Sequence, residues 1–556
     1  MRWVLKPLPR REEIKKISYE LSLPLEITEI LLKRGFNSAE EIYNFLNPSL
    51  KQMHNPYIFP DMKKASRRIV EAVKRGEKIV IYGDYDTDGV TGASLLYLGI
   101  EQLGVKSYCV VPHRLSEGYG FKFSKIKSKI SSYVNLIITV DCGVRDVGEV
   151  EKAREEGVDV IITDHHEPGD TLPPAYAIIN PKTCDYPFKE LAGCGVAFKL
   201  LQAVYKEAGF DEKNLYKLLD LVSIGTIADV CPLIDENRLF AKFGLKQIEC
   251  SENLGIRKLL EVTSLSGRTI DTFYVSYVLA PRINALGRLD DAIDAVRLFC
   301  TKKEERAKAI ADRLNKENEK RQKIQEAIMN DFRKKLLYEE LASEKIIIAD
   351  SDKWHPGVIG IVAGKLCEEF YRPVVLCSFE GDVGRASCRS TPDYNIMRAL
   401  SRFRPLFLSF GGHTRAAGFT IDRKNFNIIK VKLKEYVEKT LSERDLEPKL
   451  YVDLETDFSI FTDEFIEILD KMRPFGEGNE APLFLTKCVE VISYPERIQG
   501  GVKFSVKDRQ GVVKRCIAKG LGDAVYLIRR GSVINIVYEV RGNYLILKDF
   551  DFLGFS

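Results

Sequence analysis

No run of 18 uncharged apolar residues occurs in the 556-residue chain, which leaves no room for a membrane-spanning helix. Paired cysteines are missing as well. The twelve cysteines lie at scattered spacings with no CxxC, which removes zinc ribbons and thioredoxin-type sites. The opening segment, MRWVLKPLPRREEIKK, lacks an apolar core followed by small cleavage-site residues, so a soluble cytoplasmic protein with reduced, buried thiols is expected. No excess of one charge stands out either: 84 Lys and Arg against 80 Asp and Glu give a net +4, too little to demand a polyanionic partner, though a local basic groove stays open. Gln is scarce, at eight, beside many Lys, Glu and Ile, a bias in the direction of thermostable chains. No internal repeat is found. What remains is ordinary: 45% hydrophobic and 29% charged residues describe a folded globular chain. At roughly 150 residues per domain, its length allows three or four domains.

Residues 1–60 mix short helical patterns with Asn-Pro and Phe-Pro breaks and read as a helical lead-in. From Lys78, apolar runs at 79–82, 136–140, 158–162 and 177–179 alternate with helix-like stretches such as 92–103 and 147–156. Continuous apolar strands interleaved with helices predict an α/β fold, a doubly wound and mostly parallel sheet, over 61–300. Residues 301–340 contain no Gly or Pro and carry Ile310, Leu314, Ile324, Ile328 and Phe332 at helical spacing, so a long helix connecting two bodies is expected. Residues 341–445 predict a second α/β domain, with Gly-rich segments at 381–390 and 409–420. Residues 446–556 become strand-rich, at 483–491, 502–506, 512–518, 533–540 and 544–547, which suits a small β-barrel of the oligonucleotide-binding type.

The chemistry concentrates where the first strand ends, in Tyr82-Gly83-Asp84-Tyr85-Asp86-Thr87-Asp88-Gly89. Three carboxylates at alternate positions repel one another and call for a cation. An EF-hand matches DYDTDG, but it needs Glu at loop position twelve, where this chain has Leu95, and a helix before the loop instead of a strand. The second strand ends in Val140-Asp141-Cys142-Gly143 and the third in Thr163-Asp164-His165-His166; Asp229 follows a later apolar stretch. In a parallel sheet the carboxyl ends of strands meet at one crevice, so these groups can converge. Oxygen-rich ligation with imidazole suits Mn²⁺ or Mg²⁺, and four or five carboxylates suggest two ions, the usual apparatus for hydrolysing phosphate esters.

This quartet resembles the DHH phosphoesterase superfamily. Further segments are similar to its RecJ branch of single-stranded-DNA exonucleases, over about residues 55–556. They are Val111-Pro112-His113-Arg114, Glu117-Gly118-Tyr119-Gly120, Ala280-Pro281-Arg282-Ile283-Asn284-Ala285-Leu286-Gly287-Arg288, and Leu314-Asn315 with Asn318 and Arg321-Gln322. Trp354-His355-Pro356-Gly357-Val358-Ile359-Gly360-Ile361, Ser387-Cys388-Arg389-Ser390, Gly411-Gly412-His413 and Arg473-Pro474-Phe475-Gly476-Glu477-Gly478-Asn479 complete the set. One departure is Tyr82, where family members often carry His; it is left out of the ligand set.

The resemblance implies metal ligation by Asp86, Asp88, Asp141, His165 and Asp229, with Asp84 beside them as a supporting or additional ligand. It implies two Mn²⁺ or Mg²⁺ ions, bridged by Asp141 or Asp229, and in-line attack of an activated water on a phosphodiester. His166 is expected just outside the ligands, donating to a phosphate oxygen or to the leaving group. Ser387, Arg389, Ser390, Gly411, Gly412 and His413 are expected on a wall that holds a terminal 5′ phosphate. Arg114, Arg282 and Arg288 are expected to line the entry, with Asn284 among the substrate-binding residues. Lys503, Phe504, Lys507, Arg509 and Arg515 are candidates for binding incoming strand on the barrel. The implied activity is removal of 5′-mononucleotides from single-stranded DNA, 5′ to 3′, in recombination and repair, by a monomer away from membranes; a single-strand-binding protein and a helicase are candidate partners. Two alternatives stay open: a phosphodiesterase for short RNA or dinucleotides, and a non-catalytic DNA-binding replication subunit.

Overall fold

The computed structural model describes residues 1–552 apart from 115–116, 131–132 and 336–343. It forms two compact units, Met53–Leu446 and Met1–Gln52 together with Glu447–Ser556. Among the described residues no helix is long and apolar enough to cross a membrane.

The first unit is built on a five-stranded, all-parallel sheet in the order Tyr108–Val110, Ile79–Gly83, Leu136–Val140, Asp159–Thr163, Ala177–Ile179. Ile79–Gly83 and Leu136–Val140 are buried along their whole length, as strands covered by helices on both faces must be. The chain runs first to one side of Ile79–Gly83 and then to the other, so the sheet's switch point lies between that strand and Leu136–Val140. Gly83 pairs with Val140, and Val140 with Thr163, so three strands end flush and Asp84, Asp141 and Asp164 emerge side by side. Helix Thr87–Gln102 starts immediately after the first strand; a Cβ on Gly89 would lie 2.5 Å from Asp84 N, so only glycine lets the helix turn in so closely.

Helix Glu304–Lys335 begins against Ala280–Leu289 and Leu254–Val262, and its far end buries Ile328 and Phe332 in an apolar core with Ile347, Trp354, Val362 and Leu376. Residues 336–340 of the expected connecting helix lie outside the described residues. The sheet beyond it has the order Phe407–His413, Ala416–Asp422, Val383–Arg389, Val374–Glu380, Ile347–Ser351, parallel only in the last pair.

In the second unit, strands Phe484–Val491, Val533–Arg541, Tyr544–Phe552, Val513–Lys519 and Gly501–Lys507 follow one another, and pairing of the first with the last closes a barrel. Residues 1–52 belong to this unit, which corrects the expectation of a separate lead-in over 1–60. Arg2–Leu5 pairs in parallel with Lys449–Val452, and Ile17, Ile27, Ile30, Leu31 and Ile42 enter the same core as Phe465, Phe484 and Tyr538. Partners this distant in sequence leave no local signal. The Asn479 side chain holds its own loop through Met472 O (2.9 Å) and Pro474 O (2.8 Å) and accepts from Arg34 Nη1 (2.9 Å), so the Pro474–Asn479 motif ties the N-terminal helices to the barrel. Among the strand-binding candidates, Phe504 is a second correction. At 2% exposure it is part of the barrel core and offers no ring to a base. The period-two alternation of Gly501–Lys507 turns its ring inward. Lys507 pairs with Glu490 (2.9 Å) and Lys503 lies over the Tyr544 ring.

Leu31 is fully buried in the barrel core. Leu31→Ala is expected to destabilise this unit by about 2–5 kcal/mol, read from chemical denaturation followed by barrel fluorescence or circular dichroism. An unchanged midpoint would show that the N-terminal helices are not part of that core.

Candidate metal centre

Asp84 continues the first strand, with its N–H donating to Val140 O (3.2 Å), and its Oδ1 is buried with no hydrogen-bond partner. Asp86 is the N-cap of helix Thr87–Gln102, accepting from Asp88 N (3.0 Å) and Gly89 N (3.1 Å). Asp88 lies in the first helical turn; its Oδ2 accepts from Gly193 N (2.6 Å) and its Oδ1 from Cys194 N (2.9 Å), at the start of helix Gly193–Ala208. A Cβ on Gly193 would lie 2.7 Å from Asp141 Cβ, so this approach requires glycine.

Asp141 turns out of its strand at φ 61°, a left-handed conformation that Asp tolerates better than most residues. Its Oδ1 is 3.1 Å from His165 Nε2, which also lies 3.7 Å from Asp229 Oδ2 and 3.9 Å from Asp88 Oδ2. Asp229 is the C-cap of helix Leu219–Ala228. His165 Nε2 therefore faces carboxylates delivered by three different segments.

Asp164 was passed over as a site residue in the sequence, although it opens the DHH tripeptide. Its Oδ1 accepts from His165 N (2.8 Å), His166 N (3.1 Å) and His166 Nδ1 (2.9 Å), and its Oδ2 from Val144 N (3.0 Å). Tyr119, also passed over, places its hydroxyl 3.0 Å from His166 Nδ1 and donates to Asp141 O (3.1 Å). Both act as positioning groups. The hydrogen bond to Asp164 fixes Nδ1 as a donor, leaving Nε2 as the imidazole's working nitrogen. Only the motif context of Tyr119 could have marked it.

Burial, followed by the charges of neighbouring aspartates, raises the carboxyls of Asp84, Asp141 and Asp229 well above their usual range and that of Asp88 to about 6. Burial and then the His166 charge push His165 down to about 3, so its imidazole is neutral, the form that ligates metals. Burial also opposes the charged form of Asp164, but its bonds and charge contacts with His166 and His165 outweigh this and lower its pKa. Three groups of donor atoms each lie within 4.8 Å of one another: Asp84, Asp86 and Asp141; Asp141, His165 and His166; and His165, Asp229 and Cys231. Crowded carboxylates that resist ionisation, an unpartnered Asp84 oxygen and a neutral imidazole fit divalent cations, and Asp141 is shared by two of the groups. Tyr82 is buried with its hydroxyl donating to Gly120 O (3.2 Å), outside this donor set.

The expected phosphate-binding residues divide. Arg114 lies over the Tyr85 ring, and Arg288 donates to Gly357 O (3.1 Å). Burial, then repulsion by Arg114 and Arg389, pulls Arg288 down to about 9, so these three guanidiniums are gathered together. Arg389 Nη1 donates to Cys388 O (2.8 Å) beside Ser387, and the rings of His413 and His166 lie 6.5 Å apart. Arg282, by contrast, is bonded to Asn315 and to Val278 O, and Asn284 Oδ1 accepts from Thr87 N (2.9 Å), supporting the metal loop. The Ser390 hydroxyl donates to Tyr394 O (2.8 Å) in the domain interior. Gly411 and Gly412 lie in strand Phe407–His413; Gly412 has φ 147° and approaches the Ala416 backbone closely.

A parallel sheet whose switch point carries aspartates and imidazoles for divalent metals defines a phosphoesterase-type centre. Family profiles agree: the DHH family N-terminal domain matches residues 78–226, the DHHA1 domain 335–439 and the RecJ OB domain 452–545. The "Single-stranded-DNA-specific exonuclease RecJ" of Bacillus subtilis is 36% identical over 98% of this chain and 69% of its own length. The protein of the same description from Escherichia coli is 34% identical over 86% of both. Among solved structures, Thermus thermophilus RecJ in complex with Mn²⁺ superimposes with TM-score 0.84 at 29% identity, covering 100% of this chain and 80% of that one. A manganese-bound exonuclease RecJ gives TM-score 0.59 at 37% identity, covering 68% of this chain and 94% of the other. The chain belongs to the RecJ family.

The raised carboxyl pKa values make a stability prediction. Each of these groups binds a proton more readily folded than unfolded, so its stabilising contribution is complete below the unfolded pKa, near 4, and is lost as the pH rises through the folded value, about 6 for Asp88. The melting temperature of the metal-free protein is expected to fall between about pH 5 and about pH 7.5, and Mn²⁺ to raise it more at the higher pH. A metal increment that is equal at both, by scanning calorimetry, would contradict the crowding.

Proposed function

We propose that this chain is an exonuclease that uses Mn²⁺ or Mg²⁺, two ions per site, to release 5′-mononucleotides from single-stranded DNA, 5′ to 3′, in recombination and repair. The observation that carries the reading is the meeting, in one unit, of the Asp–His centre with the Arg114, Arg288 and Arg389 group, an arrangement for a phosphodiester and its neighbouring phosphate. Asp84, Asp86, Asp88, Asp141, His165 and Asp229 would hold the cations. Bound there, divalent cations neutralise charge on phosphate oxygens and acidify water.

The protein's own groups supply the rest. Arg389 and Arg288 offer forked donors to the terminal 5′ phosphate, with Ser387 adding a hydroxyl and His413 a ring nitrogen. Because these guanidiniums repel one another, a phosphate relieves a cost already present in the folded chain. Arg114 lines the approach. His166, held through Nδ1 by Asp164 and Tyr119, presents Nε2 to protonate the leaving oxygen or to donate to the scissile phosphate. Burial disfavours its charged form, but the bond and charge of Asp164, with Asp229 and Asp86, outweigh this and raise its pKa, which keeps a proton available. The DHH domain over 61–300 and the second domain over 341–445 divide these tasks, and the barrel within 446–556 binds the strand through charged side chains such as Lys503, Arg509 and Arg515. The protein would work as a cytoplasmic monomer, with a single-strand-binding protein and a helicase supplying substrate.

A time course on single strands labelled separately at each end, with Mn²⁺, tests this. The expected result is immediate release of 5′ label as mononucleotide, late release of 3′ label, none with chelator and none from Asp141→Ala. Arg389→Ala should slow 5′-phosphorylated strands by about tenfold or more, the loss of a charge-assisted hydrogen bond. Internal cleavage, or turnover of dinucleotides alone, would overturn the reading. Near-full turnover by His166→Ala would remove the proton-donor role.

A further inference from the structure

Beside the metal centre lies a thiol, that of Cys231. Helix Leu219–Ala228 ends at Asp229, and the chain then reverses through Val230 at φ 59°, a left-handed conformation that β-branched residues adopt only under constraint. That turn sends the Val230 side chain into solvent, at 63% exposure, and folds Cys231 back. Cys231 N donates to Thr226 O (3.3 Å) and its thiol to Asp229 Oδ2 (3.1 Å), and the sulfur is buried. The donor atoms of Cys231, Asp229 and His165 all lie within 4.8 Å of one another. Among the described residues this is the one such group of three that contains a cysteine.

The three atoms are a sulfur, an oxygen and an imidazole nitrogen, each from a buried or half-buried side chain just past the end of strand Asp159–Thr163 or helix Leu219–Ala228. A tetrahedral ion takes such a mixed set readily, with a fourth position left open or filled from Asp141, whose Oδ1 is 3.1 Å from His165 Nε2. Mn²⁺ and Mg²⁺ gain little from sulfur, whereas Zn²⁺ and Cd²⁺ gain a strong bond and already stand above Mn²⁺ in affinity for nitrogen and oxygen donors.

We propose that Cys231, His165 and Asp229 form a binding position for a thiophilic divalent cation of the Zn²⁺ or Cd²⁺ type, and that filling it shuts off the Mn²⁺- or Mg²⁺-dependent centre. The inference rests on His165 and Asp229 being ligands of the catalytic metals. The ion bonds the sulfur as thiolate, and the thiol proton leaves to solvent. Once so engaged, His165 and Asp229 face an ion held by a third, softer donor, and the catalytic arrangement of two oxygen-ligated cations cannot form. The same activity would then run on Mn²⁺ or Mg²⁺ and stop at low Zn²⁺.

The test uses the full chain. Zinc-edge X-ray absorption of the wild type carrying one equivalent of Zn²⁺ is expected to show one sulfur neighbour at about 2.3 Å, and that neighbour is expected to vanish in Cys231→Ser. In Mn²⁺-supported nucleotide release, Cys231→Ser is expected to need about tenfold more Zn²⁺ for half-inhibition than the wild type, the order of change that altered metal surroundings produce. A zinc shell of nitrogen and oxygen alone in the wild type, or equal inhibitory Zn²⁺ for both proteins, overturns the proposal. Equilibrium dialysis of Mn²⁺ against Asp141→Ala separates this from its foundation: undiminished Mn²⁺ binding there would overturn the catalytic-metal reading itself, whereas a missing sulfur with Mn²⁺ binding lost in Asp141→Ala overturns only the role of Cys231.

Discussion

Asp88 has both carboxylate oxygens held by backbone N–H groups at the start of helix Gly193–Ala208, while its neighbours Asp86 and Asp141 push against its charge. The catalytic unit is arranged around that tension. Flush strand ends set Asp84, Asp141 and Asp164 next to one another, and of the three only Asp164 is held in its charged form, by the bond and charge of His166. Helix N-termini and cap bonds supply part of the compensation, to Asp86 from its own helix and to Asp88 from helix Gly193–Ala208. What they leave over is the affinity of the site for divalent cations. A fold that neutralised its aspartates internally would be more stable without metal and would have no use for it.

Across the same unit the opposite charge is treated in the same way. Arg288 is buried beside Arg114 and Arg389, and its closest bond is to the neutral Gly357 carbonyl. The net charge of +4 over the chain conceals this sorting of acidic and basic groups into two clusters. In the proposed reading cations occupy one and phosphate the other, and a phosphodiester bound with its metals satisfies both.

Much of this was legible in the sequence because it is local. The apolar runs at 136–140 and 177–179 are strands with those bounds, and the aspartates that follow Ile79–Gly83, Leu136–Val140 and Asp159–Thr163 are the ones that emerge together. The barrel strands were visible from their turns. What escaped depends on distant partners. The three-residue strand Tyr108–Val110 is too short to show a pattern, and nothing near residue 2 announces a partner at 449. Phe504 looked like a ring available to bases because alternation alone does not say which face is inside. Asn284 and Ser390 sat in motifs that point to substrate, yet their side-chain bonds go to Thr87 N and Tyr394 O. The supporting role of Asp164 needed the four bonds it accepts, which no spacing reveals.

Anomalous diffraction from crystals grown with manganese tests the central claim most directly. Two manganese peaks about 3.5–4 Å apart, enclosed by Asp86, Asp141, His165 and Asp229, are predicted. A crevice without manganese, or these four side chains turned away from the ions, would contradict the account.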